Sequence, residues 1–185
     1  QDASRLFKTG DAVDLHLATD PRATPGRREP AAGDLRILIA PRGGKPCAVL
    51  MQPVAPQSPA ELRRVYESPV MTKAFDRVEE LQDARIEVKI RPDGYRVEAA
   101  IPLADLGWKP RPGTTVRGDV GFISSDVQGQ KNADRTYWSN PDTGLVSDLP
   151  SEAWLYPLTW GEIKIGEAAP GGPADPAKDV LKRKE

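Results

Sequence analysis

The stretches RGDVGFISSD (117–126), RTYWSNPDTG (135–144) and WLYPLTWGEIKI (154–165) decide how this chain is read. Val120 and Phe122 stand two residues apart, as do Ile163 and Ile165, the spacing of strands with one face buried and the other wet. Trp138, Trp154 and Trp160, three of the four tryptophans, fall here beside two of the four tyrosines. Asp126, Arg135, Asn140 and Asp142 surround Trp138 in sequence with hydrogen-bonding groups. A ring set among donors and acceptors suits an uncharged, polyhydroxylated ligand of sugar size, whose C–H face stacks while its hydroxyls reach the polar rim. Tryptophans in a β-protein are most often simply core, and the residues alone favour that for each ring. The sequence leaves both readings open.

Working outward, GDAVDLHLATD (10–20) alternates Val13, Leu15 and Leu17 with Asp14, His16 and Ala18, a period of two that predicts a strand. His16 is the only histidine and shares a strand face with Asp14; without a second histidine it reads as a solvated strand residue rather than a base or metal ligand. PRATPGRREPAAG (21–33) reads as an exposed loop. DLRILIA (34–40) and PCAVLMQPV (46–54) form a hairpin turning at Gly43-Gly44, with apolar runs continuous enough for cover on both faces. PAELRRVYES (59–68) predicts one or two helical turns, and PLADLGW (102–108) a single one. FDRVEEL (75–81), ARIEVKI (84–90) and YRVEAAIP (95–102) read as strands, the last two joined by a turn at RPDG.

The 185 residues suffice for one domain with a core. Pro (19) and Gly (16) are abundant and only 38% of residues are hydrophobic, a balance that favours short strands joined by turns over helices. With 26 basic against 27 acidic residues, no basic field exists to hold nucleic acid or an anionic membrane, and no apolar run reaches the length of a membrane span. The single cysteine, Cys47, lies in the apolar run CAVLM and reads as a small buried hydrophobe. Residues 167–185, poor in apolar side chains, read as a disordered tail or linker after a module at 1–166.

The order GDAVDLHL, GYRVEAAIPLADLGW, GDVGFISSD, WSNPDTG and WGEIKI resembles the family-nine carbohydrate-binding modules and their DOMON-like relatives, over residues 7–165. The resemblance implies an all-β fold, an antiparallel β-sandwich of the immunoglobulin or jelly-roll kind. About eight strands are expected, with one helical turn near Ala104. It also implies strands ahead of GDAVDLHL, so that the expected sandwich lacks its leading strands. Carried over position by position, Trp138 and Asn140 supply one stacking ring and an asparagine, and Asp14 stands where the family has a glutamate. Arg36 stands near the family's arginine, Phe7 is the one ring available for the second stacking position, and Ser125 replaces a glutamine. Asp14 is expected at the rim of the same site as Trp138.

What the resemblance implies is a non-catalytic carbohydrate-binding accessory domain of a larger exported bacterial protein, extracellular or periplasmic, tethered to other domains of its parent. The alternative is a structural or protein-interaction β-sandwich with no sugar ligand. A third reading, a haem-binding DOMON-like redox domain, requires axial ligands that His16, Met51 and Met71 supply poorly. No nucleophile elbow, HExxH or phosphate-cradling glycine loop marks an enzyme, and no cofactor is expected. Asp126 with Asp134 or Asp142 is a weak calcium candidate that matches no defined calcium loop.

Overall fold

A computed structural model describes residues 2–142 and 148–166. Its first element is a 3₁₀ helix, Ala3–Lys8, started by the Asp2 carboxylate accepting from the Ser4 N–H. Eleven strands follow among the described residues: β1 Ala12–Ala18, β2 Asp34–Arg42, β3 Lys45–Gln52, β4 Arg64–Glu67, β5 Thr72–Phe75, β6 Arg77–Glu80, β7 Arg85–Arg91, β8 Gly94–Ala100, β9 Thr115–Ser125, β10 Asn132–Tyr137 and β11 Gly161–Lys164. One short helix, α1 (Leu149–Ala153), precedes β11. No helix among the described residues is long and apolar enough to cross a membrane.

The strands make an all-β, antiparallel, sandwich-like fold around one open seven-stranded sheet, in the order β10-β9-β1-β2-β3-β6. The long β9 takes β10 along Gly121–Ser125 and β11 along Thr115–Gly118. Register fixes two faces, because directly opposed residues share one. Asp14 opposes Leu38 and Gly121, and His16 opposes Arg36 and Asp119, which puts these side chains on one face. Leu15 and Leu17, opposite Ile37 and Leu35, point to the other. The alternation read in β1 is therefore the split between two cores.

Each face has its own cover. The β4–β5 hairpin, the first 3₁₀ helix and α1 close the first face, where Leu6, Phe7, Leu38, Met51, Tyr66 and Phe75 pack together. The β7–β8 hairpin and the segment ending at Trp108 lie on the second, over Leu17, Leu35, Ile37 and Leu50. The facing layers are thus two separate hairpins on opposite sides of a central sheet. This explains the nearly continuous apolar runs of β2 and β3, which are covered on both faces. Cys47 is buried among them, as expected.

Three local expectations are corrected. The helical turns expected over 59–68 shrink to a 3₁₀ turn at Ala60–Leu62, after which β4 begins. Tyr66 is the reason: its ring packs between Phe7 and Phe75 and its hydroxyl donates to the Ser4 carbonyl, contacts that need an extended backbone. At 102–108 the chain makes hydrogen-bonded turns that close with Trp108 N–H on the Leu103 carbonyl and Gly107 at φ +61°, and no helix forms. His16 is buried, not solvated. The tail expected at 167–185 lies outside the described residues.

Candidate functional site

Charged residues inside a β-protein need partners, and the first face of the central sheet supplies them. Arg36 sits in the middle of the apolar run of β2, opposite His16 on β1, with no solvent-exposed surface of consequence. Its Nε and one terminal nitrogen make a fork onto Asp14, 2.9 and 2.7 Å from the two carboxylate oxygens. The other terminal nitrogen donates to the carbonyls of Glu152 and Ala153 at 2.8 and 3.0 Å, and the guanidinium lies 5.1 Å from the Phe7 ring centre. Tyr137 completes the set by donating its hydroxyl to Asp14. Burial alone would raise the Asp14 carboxyl, but the Arg36 charge beside it holds it far below the ordinary carboxylate range. Burial and the neighbouring Asp14 charge push the Tyr137 phenol well up, so it stays a donor.

A second buried group adjoins the first. Glu152, on α1, accepts from Lys8 at 2.8 Å and Arg135 at 2.6 Å. Arg135 also donates to the Phe7 carbonyl at 2.7 Å, tying β10 to the N-terminal helix. Burial and the nearby Arg36 charge lower the Arg135 guanidinium from its usual value. α1 is placed for this by Asp148 as its N-cap, accepting from the Ser151 N–H, with Pro150 in the first turn.

Above these pairs the loop after β10 folds over the sheet. The two oxygens of the buried Asp119 accept from the backbone N–H groups of Val120, Ser139 and Asn140 at 2.8–3.0 Å, which fixes where Asn140 points. The Ser139 hydroxyl donates to the Thr159 carbonyl, clasping the loop to the segment before β11. Between them lies a cleft of about 80 Å³. His16, Arg135 and Tyr137 form its floor, Asn140 and Asp142 one wall, and Trp154, Tyr156 and Thr159 the other. His16 Nε2 stands 3.1 Å from an Asp14 oxygen but off hydrogen-bond alignment, and Arg135 Nε likewise has no protein partner. Tyr156 is 43% exposed and Lys73 sits 4.1 Å from the Trp154 ring centre, on the side of the indole that it covers.

Gly121 makes the arrangement possible. A Cβ there would stand 2.5 Å from Tyr137 Cδ1 and 2.6 Å from the Thr136 carbonyl oxygen, so hydrogen is the only side chain that lets Tyr137 lean across to Asp14. Gly121→Ala is expected to displace Tyr137 and cost about 1–3 kcal/mol, measured by urea denaturation. A change within error would show that the strand has room to yield.

The five site residues expected from the sequence are divided by this geometry. Asn140 lines the cleft. Arg36 lies at its base, but with its guanidinium committed to Asp14 and α1. Asp14 is fully buried beneath, away from any rim, and Phe7 is a core ring under Arg36. Trp138 is on the opposite face. Its backbone N–H pairs with Val120 and its ring covers Gly161, with Cζ3 and Cη2 2.7 Å from where a Cβ would stand. It is 59% exposed, yet it does not converge with Arg36 and Asn140. Tyr137, Trp154 and Tyr156 are the aromatic residues that do meet them.

Among the described residues no three His, Cys, Asp or Glu side chains converge as a metal group. Asp126 instead caps its own turn, accepting from the N–H groups of Gln130 and Lys131. The chain matches no protein-family model, and no curated protein or solved structure is significantly similar to it, so its likeness to family-nine modules rests on the quoted motifs alone.

Proposed function

We propose that this chain is a non-catalytic carbohydrate-binding-type module, and that its ligand meets the cleft over His16, Arg135 and Tyr137. One observation carries the reading. A half-open cleft joins an aromatic wall, the exposed Tyr156 beside the half-buried Trp154, to a fixed amide, Asn140, and to two buried nitrogens that make no aligned hydrogen bond, on His16 and Arg135. Buried polar atoms of that kind are costly unless a partner reaches them, and hydroxyls are suitable partners.

The size of the cleft sets the mode of binding. About 80 Å³ is well below the ~300–1,000 Å³ of pockets that enclose a drug-sized ligand. The cleft therefore takes the hydroxyl-bearing edge of a sugar whose face lies against Tyr156. Contact of that extent gives affinity of order micromolar to millimolar. Such binding serves a tethered domain by raising local concentration.

Calorimetric titration with a panel of mono- and oligosaccharides tests this. Asn140→Ala and Tyr156→Ala should each remove binding while moving the melting temperature by no more than about 2 °C, since both side chains are at the surface. Silence across the panel at about 10 mM sugar, a concentration well above the dissociation constants expected here, would retire the sugar reading in favour of an interaction domain.

A further inference from the structure

The second face of the central sheet is covered over only part of its width. Beyond the β7–β8 hairpin, Val120 and Phe122 of β9 and the indole of Trp138 stand in a row on that face, 40%, 52% and 59% exposed. β7 lies over β3, and Tyr95 and Val97 of β8 line a groove of about 530 Å³ under the hairpin together with Val13 of β1 and the preceding Asp11. The outer edge of β8 therefore looks across β1 toward that row. Among the described residues β8 pairs with β7 alone, so the N–H and C=O groups of its outer edge have no strand partner. Ile90 at the hairpin tip is 81% exposed.

Charge says what kind of chain fits. In the β7–β8 register Glu98 faces Glu87 and Arg96 faces Lys89, so each charge on β8 has a like charge directly across from it. Such pairs are unfavourable, and the in-strand contacts Glu87–Lys89 and Arg96–Glu98 relieve them only partly. An added strand on the free side can place an acid opposite Arg96 and a base opposite Glu98. Its alternate, apolar side chains then point down onto Val13, Val120 and Phe122, extending the interface that the hairpin already makes with Leu17, Ile37 and Leu50.

We infer that β8 is a docking edge for an extended strand of another polypeptide, antiparallel to it, alternately apolar and charged, with opposite charges two residues apart. The strand pairs with Gly94–Ala100 and covers Val120, Phe122 and Trp138. This surface is separate from the cleft on the other face, so loss of sugar binding leaves it untouched.

The sequence of β8 itself provides the probe. Paired antiparallel about Val97, a second copy of GYRVEAA sets its arginine against Glu98 and its glutamate against Arg96. A blocked peptide spanning residues 93–101 should bind the full chain one to one by calorimetry and shift tryptophan emission to the blue. That shift should be absent in Trp138→Phe. A peptide with its arginine and glutamate exchanged should bind at least about threefold more weakly. The doubly exchanged protein Arg96→Glu/Glu98→Arg should reverse that preference, and circular dichroism should show it folded. Absence of peptide binding, or equal affinity for both peptides, would overturn the assignment. So would a chain that is dimeric by light scattering and becomes monomeric on Arg96→Glu, because a second copy would then be the occupant.

Discussion

Arg36→Ala is expected to destabilise the fold by about 3–5 kcal/mol, a large share of the ~5–15 kcal/mol available to an ordinary domain. The loss comes from what is left behind. Asp14 has no exposed surface, and without Arg36 its carboxylate keeps only the Tyr137 hydroxyl and an ill-aligned His16. The carbonyls of Glu152 and Ala153 lose their donor as well, which loosens α1 and with it the far wall of the cleft. Replacing both charges together, as Asp14→Leu/Arg36→Met, should cost much less than the two single changes summed, because no unpaired charge remains. Acid titration gives an independent reading with a definite sign. The folded carboxyl of Asp14 lies far below the value of about 3.9 that it has unfolded, so its contribution is complete above that value. Stability then falls as pH drops below about 3.9 toward the folded value, and Asp14→Asn should lack that limb. Urea denaturation from pH 7 to pH 2 measures all of these. A cost below about 1 kcal/mol for Arg36→Ala would mean that water reaches Asp14 and pairs it.

How much of this was legible varies with how local the signal is. β1 announced itself because alternating residues belong to one strand, and the β2–β3 hairpin because Gly43 and Gly44 supply the positive φ its turn requires, +60° and +79°. The β4–β5 hairpin was hidden, since RRVYES carries helix-compatible residues and only the burial of Tyr66 among distant aromatics makes it extended. Burial of the polar face was hidden for a deeper reason. A period of two marks Asp14 and His16 as facing away from Leu15 and Leu17, but not that a second core waits there. One residue did carry that information. Arg36 interrupts an otherwise apolar strand, and a charge so placed must be paired. The rest of the network was unreadable: Tyr137, which donates to Asp14, arrives through the β10–β9–β1 register, and the Glu152 and Ala153 carbonyls that accept from Arg36 come from a five-residue helix more than 110 positions away in the chain.

The tryptophans draw the sharpest line between motif and geometry, and Trp160→Ala should show it with a cost of about 3–5 kcal/mol. Trp160 is buried against the first core, its ring 5.8 Å from that of His16, and its carbonyl accepts from Arg117. Removing it opens a cavity directly beneath the cleft, so stability and sugar binding should fall together. Trp138 offers the opposite outcome from an equally conspicuous motif. It is mostly exposed and rests on Gly161, so Trp138→Ala should cost no more than about 1 kcal/mol. It also stands on the far face from Arg36 and Asn140, so sugar binding at the cleft should survive its loss while Tyr156→Ala abolishes it. Thermal melts and the same calorimetric panel, run on the three variants side by side, separate these roles. Loss of sugar binding in Trp138→Ala with full retention in Tyr156→Ala would move the ligand from the cleft to the other face of the sheet, where that indole stands beside Val120 and Phe122.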